Sequence, residues 1–84
     1  MPQTRKEILK LSLDARVEEI MHYQINIDNY TLALQKIGTL PEKERIELFS
    51  FSEQLSALLS SEKIEQKKSQ IMLEVLQQQT DKDH

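Results

Sequence analysis

The chain has no cysteine, no tryptophan, one glycine, two prolines and four aromatic residues among its 84. Without cysteine no disulfide can staple the fold, and no thiolate nucleophile or thiolate metal ligand exists. Two histidines in total leave too few ligands for a structural zinc site. A chain this short builds a small core, so self-association is the staple that remains. The single glycine excludes a glycine-rich phosphate loop. Long apolar runs are also missing, which gives no candidate transmembrane segment. The opening Met1-Pro2-Gln3-Thr4-Arg5-Lys6 leads into an interrupted apolar pattern and not a signal peptide, so a cytoplasmic, single-domain protein is expected.

Charge of one sign is lacking too. Lys plus Arg is 11 and Asp plus Glu is 14, for a net charge of -3, and no segment is basic. Phosphate contacts dominate nucleic-acid binding, so the balance counts against nucleic acid as the main partner. The one basic cluster, Lys63, Lys67 and Lys68, is interleaved with Glu62, Glu65 and Glu74 and reads as a solvated face.

What the chain does have is helical periodicity. Leu9, Leu13, Arg16, Ile20, Tyr23, Ile27, Tyr30, Leu34 and Ile37 recur at steps of four and three. Such steps place side chains on one side of an α-helix, and the seven-residue spacing of Leu13, Ile20, Ile27 and Leu34 suits a coiled partner. Neither Gly nor Pro interrupts Gln3 to Ile37, which allows one helix of about 34 residues, roughly 50 Å long. The stretch from Ile25 to Thr31 has poor helix propensity, and a kink near Asp28-Asn29 is the alternative to an unbroken helix. A second apolar line, Leu11, Met21, Ile25 and Leu32, falls opposite the seam and suggests a second contact surface.

Gly38 stands where this helix should stop, in position for a left-handed C-terminal cap. Thr39-x-x-Glu42 matches a capping box with Pro41 in the first turn of a following helix. A connection over 38–41 would make the two helices antiparallel. The second helix, about 41–79, carries Leu48, Phe51, Leu55 and Leu58 as its seam, with Ile46, Phe49 and Leu59 widening the face. A break near Ser60 that starts a third helix is the alternative, and 80–84 reads as a fraying end. In a hairpin turning near Thr39, facing residue numbers sum to roughly 78–80. Tyr23 then faces Leu55, Ile27 faces Phe51, and Ile20 faces Leu58. Arg16 is the odd residue of the first seam, and Glu62 and Glu65 are the odd residues of the second; Arg16 and Glu62 fall level and form a candidate ion pair that fixes register.

Catalytic constellations are weak. Glu19-Ile20-Met21-His22 has the Glu-x-x-His spacing of carboxylate di-iron bundles, but Glu19 lies at the seam margin and His22 points away from it. Serines are plentiful, but no histidine is placed to activate one. Neither cofactor nor metal is expected. Phe49 lies off the seam centre and is a candidate binding anchor.

In architecture the chain is similar to small helical hairpins that dimerise into four-helix bundles, such as the plasmid RNA-binding Rop protein, without a shared motif. The turn Gly38-Thr39-Leu40-Pro41, followed by Phe49, resembles the small subunit of exonuclease VII. That family has a Gly-Asp-Leu-Pro turn between two helices and a non-catalytic small subunit. The likeness covers only the turn and the start of the second helix, and the long first helix departs from the family's pattern.

The expectation is an all-α antiparallel hairpin that self-associates into a bundle, a dimer being favoured. Its function would be non-catalytic protein binding, as a regulator, inhibitor or accessory subunit of a larger enzyme or assembly. Such short cysteine-free helical chains are frequent among phage and mobile-element proteins. The alternatives are a self-assembling structural factor, a Rop-like nucleic-acid binder, or a nuclease small subunit. Leu11, Met21, Ile25, Leu32 and Phe49 are the candidate partner- or self-interface residues.

Overall fold

The structure, a computed structural model, describes residues 3–82. It is an all-α hairpin: two long helices pack side by side, joined by a short one. Helix α1 spans Arg5–Gly38, α2 spans Glu42–Glu47, and α3 spans Phe49–Lys82. The molecule is a rod of 62 × 22 × 16 Å. Among the described residues there is no strand, and no helix is long and apolar enough to cross a membrane.

Thr4 opens α1. Its side-chain oxygen accepts from the Glu7 N–H at 3.2 Å, satisfying one of the donors that a helix start leaves free. The helix runs unbroken through Ile25–Thr31. Asn and Asp weaken helices when their side chains compete for the local backbone. Here those side chains are engaged elsewhere. Asn26 donates to Glu62 across the hairpin, at 3.2 Å, and Asp28 accepts from Gln24 one turn away, at 2.9 Å.

The end of α1 differs from the expected turn. Gly38 does not adopt a left-handed conformation; it is the last residue of α1 with ordinary helical φ. Thr39 follows in the right-handed region, and both its N–H and its hydroxyl donate to the Lys36 carbonyl, at 3.1 and 2.7 Å. With its hydroxyl spent on α1, Thr39 cannot open a capping box. Pro41 precedes α2 without any side-chain cap.

The connection is also longer than expected. Six residues form α2, and Leu48 (φ -97°, ψ 9°) separates it from α3. The discontinuity therefore falls at Leu48, while α3 continues unbroken through Ser60. Residues 80–82, expected to fray, are helical, and Thr80 donates to the Leu76 carbonyl at 3.0 Å. Residues 83 and 84 lie outside the described residues.

All nine residues of the α1 seam are buried or half-buried, from Leu9 to Ile37. The facing seam begins at Leu48, just ahead of α3, and continues along α3 as Ser52, Leu55, Leu59, Glu62, Gln66, Ser69, Leu73, Leu76 and Thr80, at alternating steps of four and three, each at least half-buried. Phe51 and Leu58 are not part of it. Both are 47% exposed, one residue off the seam positions held by Ser52 and Leu59. Turning α3 toward its most apolar row would also have buried Glu65. The observed rotation puts Gln66 there instead, donating to the Ile20 carbonyl at 3.3 Å and to Gln24 at 3.0 Å.

The Arg16–Glu62 ion pair does not form. Arg16 binds Glu19 on its own helix at 3.1 Å and donates to Ser69 across the hairpin at 3.4 Å. Glu62 instead accepts from Asn26. Arg16 thus faces a residue seven positions beyond Glu62, two helical turns along α3. The chain spent on α2 and Leu48 accounts for the shift, because facing residues on α3 come later when the crossing takes more residues.

Candidate interaction surfaces

The buried core is thin. Among the described residues only Leu9, Ile27 and Leu55 are buried and apolar, at 7, 7 and 6% exposure, and the most buried is the polar Ser69 at 2%. Half of the α3 seam is polar, and its middle (Glu62, Gln66, Ser69) meets Arg16, Ile20, Gln24 and Asn26 through hydrogen bonds. Much apolar surface stays outside. The chain exposes 6646 Å², whereas a compact monomer of 9.9 kDa exposes about 5,200 Å².

Three apolar surfaces stand out. The first is the outer line of α1. Leu11, Met21, Ile25 and Leu32 are all more than half exposed, with Leu32 at 60%. Exposed Asp14, Glu18 and Asp28 share that side of the helix with exposed Lys10 and Lys36, so the line is flanked by charges of both signs.

The second lies at the turn end. Phe49 and Ile46 are among the most exposed apolar residues, at 62 and 67%, and with Glu42 and Arg45 they line an open groove of about 470 Å³. Phe49 was expected on the margin of the second helix's face, and it stands outside the hairpin contact. Ile46 was read from the sequence as widening the core face, whereas α2 carries it into solvent.

The third surface is one flank of the hairpin, formed by Phe51, Leu58 and Met72 on α3. Sequence reasoning put Phe51 and Leu58 inside and overlooked Met72 as a surface residue. The signal was present in the spacing, because 51, 58 and 72 share one heptad row with Glu65.

Electrostatics concentrate near the polar middle of the hairpin. The Tyr23 hydroxyl is held above its usual value of 10.0, first by desolvation and then by Glu19, Glu65 and Glu62. Lys68 pairs with Glu65 at 3.0 Å, while Lys63 and Lys67 are exposed on the same helix. No cluster of acidic residues and histidine arranged to hold a metal occurs among the described residues. Glu19 is engaged by Arg16, and His22 is exposed.

These features define an all-α helical hairpin with apolar surface beyond its own contact. Compared with known proteins, the chain matches no family model, no curated relative and no solved structure. The functional reading therefore rests on the surfaces themselves.

Proposed function

We propose that this hairpin is a non-catalytic binding module that self-associates and docks on a larger protein as its regulator, inhibitor or accessory subunit. The observation that carries the reading is the outer line of α1. Four large apolar side chains lie outside the hairpin contact along one face of a continuous helix, Met21, Ile25 and Leu32 grouped and Leu11 set apart. Large apolar side chains gathered on an exposed face mark interaction sites. An amphipathic partner helix would lay its own apolar residues at steps of three and four along Leu11, Met21, Ile25 and Leu32.

A pull-down from nuclease-treated host lysate tests this, comparing wild type with Ile25→Asp/Leu32→Asp. The expected result is one stoichiometric protein that binds through an amphipathic helix, held by wild type and lost from the variant. Equal recovery by both chains, or recovery of no partner, overturns the reading.

A further inference from the structure

Because α3 turns Ser52, Leu59, Gln66 and Leu73 toward α1, it carries the adjacent row, Phe51, Leu58, Glu65 and Met72, on one flank of the hairpin. Phe51, Leu58 and Met72 each remain close to half exposed. Near the far end of this flank, Met72 and Leu76 line an open groove of about 300 Å³ with Ser12, Ala15, Arg16 and Glu19 of α1. Serine and alanine leave that space. On the opposite flank the rows are Lys10, Val17, Gln24 and Thr31 on α1 and Phe49, Ser56, Lys63, Gln70 and Gln77 on α3, with Val17 and Phe49 the only apolar members.

We infer that the Phe51–Met72 flank is the self-interface: a second copy packs on it antiparallel, with Phe51 of each copy seated in the Ser12–Ala15–Met72–Leu76 groove of the other. This rests on the self-association proposed above and names its surface. Three observations carry it.

The first is area. The exposed surface exceeds the compact-monomer expectation by about 1,400 Å², and a standard stable interface takes about 800 Å² from each partner. The excess is sufficient for one such contact with surface left over for a target.

The second is the match of knob and socket. A cavity of roughly 150 Å³ holds a benzene molecule, so the 300 Å³ groove accommodates a phenyl ring. Arg16 at its edge can also meet the ring face. Phe51 and Met72 lie on one continuous helix, about 32 Å apart at 1.5 Å per residue. Knob and socket at opposite ends of one flank can be satisfied twice by a two-fold only if the copies run antiparallel. The axis then falls midway, at the level of the Asn26–Glu62 hydrogen bond.

The third is charge. Glu65 shares the flank row with Phe51, Leu58 and Met72, whereas Glu62, level with the axis, is turned inward and accepts from Asn26 of its own chain. A parallel dimer would set Glu65 directly against its mate. The antiparallel one staggers the two by about 10 Å, near the screening length at 0.1 M salt.

The experiment combines solution mass with directed cross-linking. Wild type should sediment as a dimer, at twice the 9.9 kDa chain. L58D/M72D, at exposed positions, should fall to one chain mass with its helical circular dichroism kept, while I25D/L32D should stay dimeric. In this cysteine-free chain, L58C/E65C should oxidise to a disulfide-linked dimer. Closure within one chain is excluded because those positions lie about 10 Å apart along α3, beyond the roughly 7 Å that a disulfide spans. A monomeric wild type sinks self-association altogether. Four results overturn the face or its direction while sparing self-association: a dimeric L58D/M72D, a monomeric I25D/L32D, failure of L58C/E65C to cross-link within a dimer, or cross-linking by L58C alone.

Discussion

Replacing Gly38 with alanine should make the protein more stable. The turn grammar around Gly38-Thr39-Leu40-Pro41 suggests the opposite, since a left-handed glycine cap loses stability when a Cβ is added. In the structure Gly38 is a helical residue with no positive φ, and a Cβ built on it meets nothing within 4 Å. Two effects then favour alanine. Its helix propensity exceeds that of glycine by about 1 kcal/mol in a helix interior, and less at a last residue. It also lowers the entropy of the unfolded chain, by about 0.4–1 kcal/mol where the native conformation suits it. These overlap, so a net gain of about 0.5–1 kcal/mol is expected. For a domain of this size 1 kcal/mol moves Tm by about 4–8 °C, which makes the expected rise roughly 2–8 °C. The assay is thermal and urea unfolding followed by circular dichroism at 222 nm, with chain concentrations matched because any self-association makes Tm concentration-dependent. Gly38→Asn is the internal control, because asparagine tolerates the left-handed region better than alanine but is the poorer helix former. The order alanine above asparagine supports the helical assignment. A loss of stability in Gly38→Ala, with asparagine the better tolerated, would refute it.

Three further outcomes follow from the packing. Thr4→Ala removes the cap on the Glu7 N–H and should cost about 1 kcal/mol in a urea melt. Ser69→Leu forces a large side chain into the most buried seam position and displaces the Arg16 hydrogen bond; unfolding should show a loss of about 1–3 kcal/mol. Tyr23 binds its proton more tightly when folded than when unfolded. Its contribution is therefore fully present below pH 10 and lost as pH rises through the elevated value. A titration of absorbance at 295 nm in a Tyr30→Phe background should give a midpoint above 10, and Tyr23→Phe should lessen the alkaline loss of stability.

The first helix was legible residue by residue. Its seam is apolar at every position except Arg16 and keeps its phase for nine positions, so periodicity located both its length and its buried face. The second long helix was legible as a helix, but its face was misjudged. Counting apolar residues favours the Phe51–Leu58 phase over the Ser52–Leu59 phase, because the first adds Met72 while the second includes Gln66. The observed phase brings in Gln66, whose amide finds two partners on α1, and leaves the apolar row of Phe51 on the flank. Register failed for a simpler reason. Local grammar placed the helix start correctly near Pro41, but nothing in the local sequence announces the interruption at Leu48 or the use of α2 as part of the crossing. Among the candidate interface residues, the outer line of α1 was visible as a second stripe. Met72 does not stand out in that way, because Ile71, Val75 and Leu76 crowd around it and apolar residues then occur on several faces of α3 at once.

The polar middle of the α3 seam divides the rod into two hydrophobic halves of unequal standing. The half near the turn joins Ile27, Tyr30, Leu34 and Ile37 to Leu48, Leu55 and Leu59, which are close along the chain. The far half joins Leu9 and Leu13 to Leu73 and Leu76, which come together only after the whole chain between them has been looped. Zipping should thus begin at the turn and slow at Glu62, Gln66 and Ser69, whose hydrogen bonds give little until both strands of the zipper are aligned. Once closed, the far half is also the part that reopens at least cost. The rod behaves as a clothes-peg, hinged at α2 and gripping with jaws that part far more readily than the hinge unfolds, a foldon boundary that amide exchange would place at Ser69.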